Sequence, residues 1–456
     1  MKQRKVKKVA VIVEGMNWGD EGKGKIAARE AKNAKLVIRA TGGANAGHTV
    51  AWNGKKIGLH LVPGGIVYPQ TMCLIGQGVV IDFPILFKEI RDLREMGVPN
   101  VVKRLKISGR AHVLFPYHKE LDELHERMKE NPIGTTKRGI GPCYADKDNR
   151  VGIRVYDLLL PVNELEKKIQ EAVKLHNQDF AANGMEYAVV NPKKLAIQYS
   201  KCGEILKKHD MVVNADALTE KTISRGQKIV VEGAQAYRLD KDYGDYPMVT
   251  SSNCATAGTL VGAHLPYNAV KTVIGITKAH ASRVGNGVFP TEQPAHIEND
   301  KVVPYSIPCI GDVIREEAHE FGVSTGRPRR TGWHDGILSK SAKHALGLDY
   351  QCINHVDTIG EIGNKVGHIK VCVGYIYCGK IIDYYPDDMN LTGRTPQPMY
   401  MIVNGGWHLT GKERFYWQLP KKAREFIKLI EDTSGVPVKY IGVGPDNDDL
   451  VVRHFI

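Results

Sequence analysis

Apolar positions along the chain fall into two rhythms. Short unbroken runs rich in Val and Ile, closed by Gly or Pro, predict buried strands at residues 9–13, 36–39, 75–82 and 229–235, at the start of 273–290, and a last one at 438–441. Residues 59–66 (LHLVPGGI) share that character and predict a strand with a turn. Elsewhere apolar residues recur every three or four places. That spacing predicts helices over 83–96, over 117–128 with Leu121, Leu124 and Met128 on one face, and over 161–175 with Leu165, Ile169, Ala172 and Val173 on one side. A late helix carries Ala423, Phe426, Ile427 and Ile430 and stops at Gly435, while 177–228 is mainly helical scaffold. Two stretches follow neither rhythm. Residues 131–150 (NPIGTTKRGIGPCYADKDNR) and 322–333 (GVSTGRPRRTGW) are crowded with Gly, hydroxyl and basic side chains and predict loops. Long loops in compact domains tend to be functional.

The strand at 9–13 runs into the most informative of these irregular places. Residues 9–26 read VAVIVEGMNWGDEGKGKI, an apolar run that breaks at Gly15 into a loop with Gly19, Gly22 and Gly24 interleaved with Lys23 and Lys25. A helix is expected over 26–32. Strand, glycine loop and helix aim backbone N–H groups and a helix N-terminus at phosphate. Residues 19–25 fit the G-x4-G-K part of a P-loop, but Ile26 stands where the Ser or Thr that binds Mg²⁺ belongs. Asp20, inside the loop, is the candidate to hold the metal instead. Past the next strand comes TGGANAGHTV (41–50), at the place where open α/β sheets put ligands.

Composition narrows the class. The chain has 456 residues, 42% hydrophobic and 25% charged, enough for a substantial core. No apolar run approaches the roughly 20 residues that cross a bilayer. The basic start and short apolar stretch of residues 1–15 read as a first strand rather than a leader, since they lead straight into the glycine loop. A net charge of +13 suggests anionic partners, yet the basic residues are dispersed and carry no nucleic-acid signature. The eight cysteines form no C-x2-C pair, which predicts reduced structural thiols in a cytoplasmic protein.

Trp18 to Lys25, WGDEGKGK, reproduces in full the signature loop of the adenylosuccinate synthetase family, with Asn17 before it where Gln is usual. The chain also resembles that family at GGANAGHT (42–49), IGTTKRGIGP (133–142), EGAQ (232–235), YPMVTSSN (246–253) and the arginine loop, in order from about residue 9 to 449. With no internal repeat or linker, the expectation is one α/β domain over 1–456, a mostly parallel central sheet flanked by helices, inserted helical subregions and a P-loop-like nucleotide site. The resemblance implies a ligase that joins IMP to L-aspartate with hydrolysis of GTP, through a 6-phosphoryl intermediate.

It also implies roles for residues of this sequence. Asp20, His48 and Gln235 would be catalytic, and Gly19, Glu21, Gly22, Lys23, Gly24 and Lys25 would form the phosphate loop. Asp20 and the Gly47 carbonyl would bind Mg²⁺. Asn45, Thr136, Arg150, Gln235, Thr250 and Arg327 would bind IMP, Arg150 from the second subunit of a homodimer. On residue type alone, the hydroxyls at Thr250, Ser251 and Ser252 suit strand termination or phosphate equally. Ser324, Thr325, Arg327 and Arg329 would bind aspartate, guanidinium forks being suited to carboxylates. His355, Asp357, Gly442, Gly444 and Pro445 would meet guanine; His355 replaces the family's Lys, and GVGP (442–445) replaces Ser-Thr-Gly-Pro. Two alternatives accompany this reading. Relatives of the same fold attach aspartate to GMP or dGMP and can use ATP; those usually lack the loop aspartate. A GTP-binding switch protein would need no arginine loop.

Overall fold

The computed structural model describes residues 6–52, 55–130, 133–298, 301–322 and 326–455. It comprises two compact units: Met1–Ile12, Glu30–Ala234 and Thr250–Lys271 make the first, and Val13–Arg29, Gln235–Val249 and Thr272–Ile456 the second. The strands are mostly parallel and flanked by helices, the α/β class predicted from the apolar pattern.

In the first unit, Ile229–Glu232, Leu36–Gly42, Met72–Ile81, Leu105–Ser108 and Val212–Val213 lie side by side, each neighbouring pair parallel. Every residue of Leu36–Gly42 is buried. Strands covered on both faces carry unbroken apolar runs instead of alternation, which is why these were legible. The helices Phe83–Glu95, Pro116–Met128 and Val162–Ala182 fall where the three-to-four spacing places them, the last running a further two turns. Asp82 starts the first of them by accepting a hydrogen bond from the Ile85 amide at 3.3 Å.

Two predictions in this unit are corrected. Residues 59–66 are not a strand with a turn: Leu59 closes the strand Lys55–Leu59, and Gly64–Val67 is a 3₁₀ turn. Pro63 has no N–H to give a ladder, and its carbonyl instead accepts from the Ile66 amide at 3.1 Å. Residues 131–150 are not loop throughout, because Ile140–Asp148 is helical. Pro142 sits in the first turn, where its missing N–H would have had no intrahelical partner. Gly139 enters the helix with φ +74°, and a Cβ there would lie 2.8 Å from the His118 backbone.

In the second unit, the strand Val270–Lys278 from Thr272 onward, Tyr350–Asn354 and Val438–Gly442 are parallel neighbours. Val438–Gly442 is not the last strand; Leu450–Val452 pairs antiparallel with it. Residues 273–290 hold a second strand, His280–Arg283, in a smaller sheet with Arg330–Asp335, His368–Tyr377, Lys380–Ile382 and Gln397–Asn404. One apolar cluster unites Trp333, Ile353, Ile359, Ile369 and Trp407 with Ala423, Phe426, Ile427 and Ile430 of the helix Lys421–Ser434. That helix ends at Gly435, whose φ of +65° suits glycine. Among the described residues no helix is long and apolar enough to cross a membrane.

Candidate active site

The strand Ala10–Gly15 is wholly buried and ends where the loop begins. The helix that follows, Lys23–Ala31, starts three residues earlier than predicted, so Lys23, Gly24 and Lys25 form its first turn. Gly19, Asp20 and Gly22 all have positive φ (+93°, +60° and +82°), a backbone that glycine adopts freely and Asp tolerates. Glu21 braces this curve. Its buried carboxylate accepts from the Asn17 amide at 3.1 Å and the Gly19 amide at 2.8 Å, and pairs with Lys23 at 2.9 Å. Asn354 donates to the Glu21 carbonyl at 2.7 Å. Lys25 Nζ bonds the carbonyls of Gly444 (2.8 Å) and Asp449 (3.0 Å), which ties the loop to the predicted base-binding segment; burial lowers its pKa.

The signature Trp has an anchoring job. Trp18 Nε1 donates to Asp245 at 2.8 Å, and Asp245 also pairs with Arg238 and, at 2.7 Å, with Arg283, whose guanidinium lies over the Trp18 ring. Asp20 turns outward, with half its side chain exposed, and its carboxylate meets Arg329 Nη2 at 2.7 Å. The loop aspartate and the arginine loop are thus brought together across more than three hundred residues of sequence. Arg327 is exposed, and Gln235, half-buried, has φ +60°. Ser324 and Thr325 lie outside the described residues. In the predicted guanine segment, burial first, then the neighbouring His280 and Lys278, push the His355 pKa down to about 3, so the ring is a neutral flat surface; burial raises that of Asp357.

The first unit carries the other predicted residues. In residues 41–48, Gly42 has φ +78°, and a Cβ on Gly43 would meet Ile140 at 2.7 Å. Asn45 folds back to accept from the Gly43 amide at 3.3 Å, and Gly47 is exposed. His48 begins a strand, His48–Trp52, paired with Lys55–Leu59. Its Nε2 lies 3.9 Å from Glu232, a carboxyl whose pKa burial raises and which accepts from the Gly64 amide at 3.0 Å. Thr136 is exposed on a loop pinned by two acids: Glu126 takes the Gly134 amide at 2.9 Å, and Asp122 takes the Thr135 hydroxyl at 3.0 Å and the Gly139 amide at 2.9 Å. Arg150 stands exposed after the helix Ile140–Asp148, with φ +65°, and Thr250 is half-buried.

Sequence patterns missed several supporting residues. Asp245, Asn354 and Glu320 each act through partners distant in sequence and no local spacing marks them, while Glu232 was visible only as the first residue of EGAQ. The one available signal for Glu320 was the run VIGITKAH, in which Lys278 ends one strand and His280 begins the next.

A strand, a braced glycine loop, a helix and an adjoining arginine form the phosphate-binding arrangement of a nucleotide-handling α/β protein. Comparison with known proteins makes the class specific. A family model described as adenylosuccinate synthetase matches residues 11–451. The adenylosuccinate synthetase of Acetivibrio thermocellus is 41% identical over 97% of this chain and 99% of its own, and that of Heliobacterium modesticaldum 39% identical over 97% and 98%. The solved structure of fully ligated adenylosuccinate synthetase from Plasmodium falciparum superposes with TM-score 0.85 at 31% identity, covering 98% of this chain and all of that one. A cyanophage S-2L succinoaminodeoxyadenylate synthetase, solved with dGMP and dATP, shares the fold at TM-score 0.58 and 19% identity, over 98% and 95% of the two chains. The chain belongs to the adenylosuccinate synthetase family, whose members are ligases of purine biosynthesis.

Proposed function

We propose that this protein is a cytoplasmic, homodimeric adenylosuccinate synthetase, joining the amine of L-aspartate to C6 of IMP with hydrolysis of GTP. The observation that carries the reading is Asp20: an outward carboxylate on the phosphate loop, held at 2.7 Å by an arginine of the loop suited to the second substrate. The chain-long family match supports it.

The 6-oxo group of a purine is a poor leaving group and must first become a phosphate ester. Asp20 takes the N1 proton, charge collects on O6, and O6 attacks the γ-phosphoryl of GTP. Lys23, Lys25 and N–H groups of the loop support the transferring phosphoryl, and His48, when protonated, the departing diphosphate. Gln235 meets the purine; Asn45, Thr136, Thr250, Arg327 and the partner subunit's Arg150 hold the rest of IMP. Ser324, Thr325, Arg327 and Arg329 hold aspartate so that its amine displaces phosphate from C6. His355, Asp357, Gly442, Gly444 and Pro445 form the guanine site. For Mg²⁺, the Asp20 carboxylate and the exposed Gly47 backbone offer the hard oxygen donors that ion takes, whereas the His296, Cys309 and Asp312 cluster, the one such group of three among the described residues, brings sulfur and nitrogen. When bound, the ion neutralises phosphate charge.

The test is a matrix assay: IMP, GMP or dGMP, each with GTP or ATP, with aspartate present and the succino-purine measured. IMP with GTP should be fastest. Product from dGMP alone would overturn the substrate assignment. Asp20→Asn should lose at least about a hundredfold in kcat, as for a removed general base. A near-normal rate would remove Asp20 from the chemistry.

A further inference from the structure

One buried carboxylate underlies the arginine that meets Asp20. Glu320 follows the helix Ile310–Glu317 and stands just before the arginine loop, 1% exposed. Its Oε1 lies 2.5 Å from Lys278 Nζ and 2.6 Å from His280 Nε2, and its Oε2 2.7 Å from Arg329 Nη1. The backbone repeats the tie, with the Arg329 amide donating to the Glu320 carbonyl at 2.9 Å. The other terminal nitrogen of the same guanidinium, Nη2, is the one 2.7 Å from Asp20. One planar fork therefore spans two carboxylates, one buried and one on the phosphate loop.

We propose that Glu320 is a positioning residue for the phosphoryl-transfer step, acting through Arg329 to fix the guanidinium beside Asp20; this rests on the function proposed above. Glu320 divides the charge of Arg329. With Glu320 neutral, Lys278 and Arg329 are two buried cations with no shared counter-ion, and the guanidinium settles on Asp20 alone. There it competes with the proton and the cation that Asp20 must take. Burial works against the Glu320 anion, but Lys278, His280 and Arg329 together hold its pKa well below the usual carboxylate range. Removing one partner of such a buried network costs more than the pair is worth, so the surrounding groups must move.

The experiment is a kinetic double-mutant cycle on the full chain with IMP, aspartate and GTP. Glu320→Gln should lower kcat at least about tenfold while the KM for IMP shifts less than about threefold, the pattern of an interaction used in the transition state. Glu320→Asp, which keeps the charge on a shorter stem, should recover part of the rate. In an Arg329→Leu background Glu320→Gln should change kcat less than about twofold, since a residue acting through another has nothing further to lose. Additive losses, or a normal kcat in Glu320→Gln, overturn the proposal. Should Glu320→Gln fail to fold, Glu320→Asp carries the same cycle. A crystal structure of the variant with Arg329 unmoved also overturns it, with no appeal to activity. Wild-type protein that makes no succino-purine defeats the functional reading itself, which separates the two failures.

Discussion

At Gly22 two requirements meet in one residue. Its φ is +82°, and a Cβ there would lie 2.8 Å from Asn354 Nδ2, the atom that donates to the Glu21 carbonyl at 2.7 Å. Gly22→Ala should therefore strain the loop by about 1–3 kcal/mol and dislodge Asn354. The measurements are thermal unfolding and titration with a fluorescent GTP analogue. A variant with wild-type melting and binding would show that the loop does not need this curvature. The candidate residues of the phosphate loop and the arginine loop were legible in the sequence because WGDEGKGK and GRPRR are contiguous strings. The residues that hold them were not. Asp245 reaches Trp18 across 227 positions and Asn354 reaches Glu21 across 333, and no local pattern encodes a partner that far away.

Buried strands were legible as elements for the opposite reason, since their signal is local and continuous. Helix 140–148 escaped because Gly and Pro ordinarily break helices, and only the position of Pro142 in the first turn reconciles it with the fold. Strand 450–452 escaped because three residues carry no period. Where spacing was strong, packing follows it closely. On the helix Lys421–Ser434, Ala423, Phe426, Ile427 and Ile430 are all fully buried, and the Phe426 ring centroid lies 5.5 Å from that of Trp407. Phe426→Ala should cost about 3–5 kcal/mol, from lost transfer energy and the cavity left behind. Urea unfolding will read it. A loss under about 1 kcal/mol would mean the helix is not part of the cooperative core.

The molecule as a whole carries a net charge of +13, and buried histidines add their own response to acid. Composition could not reveal this, because burial is what chiefly distinguishes His112 and His334 from surface imidazoles. Burial lowers His112 to about 4, with Lys147 and Arg154 adding to the effect, and burial lowers His334 to about 4 although its Nδ1 hydrogen bond to the Lys278 carbonyl opposes the shift. In the unfolded chain such rings titrate near about 6.5. Between those values the unfolded state binds protons that the folded state refuses, so stability falls as pH drops from about 6.5 toward 4 and is insensitive to these groups above that window. Asp146 acts lower down. Burial would raise it, but hydrogen bonds from His118 and His176 pull it down to about 2, so the stability it lends is complete above about 4 and lost as pH falls through 2. Urea midpoints at pH 7, 5.5 and 4.5 should descend in that order, and His334→Asn should flatten the descent while lowering stability throughout. A midpoint that holds steady from pH 7 to 4.5 would mean that these rings take up protons in the folded protein.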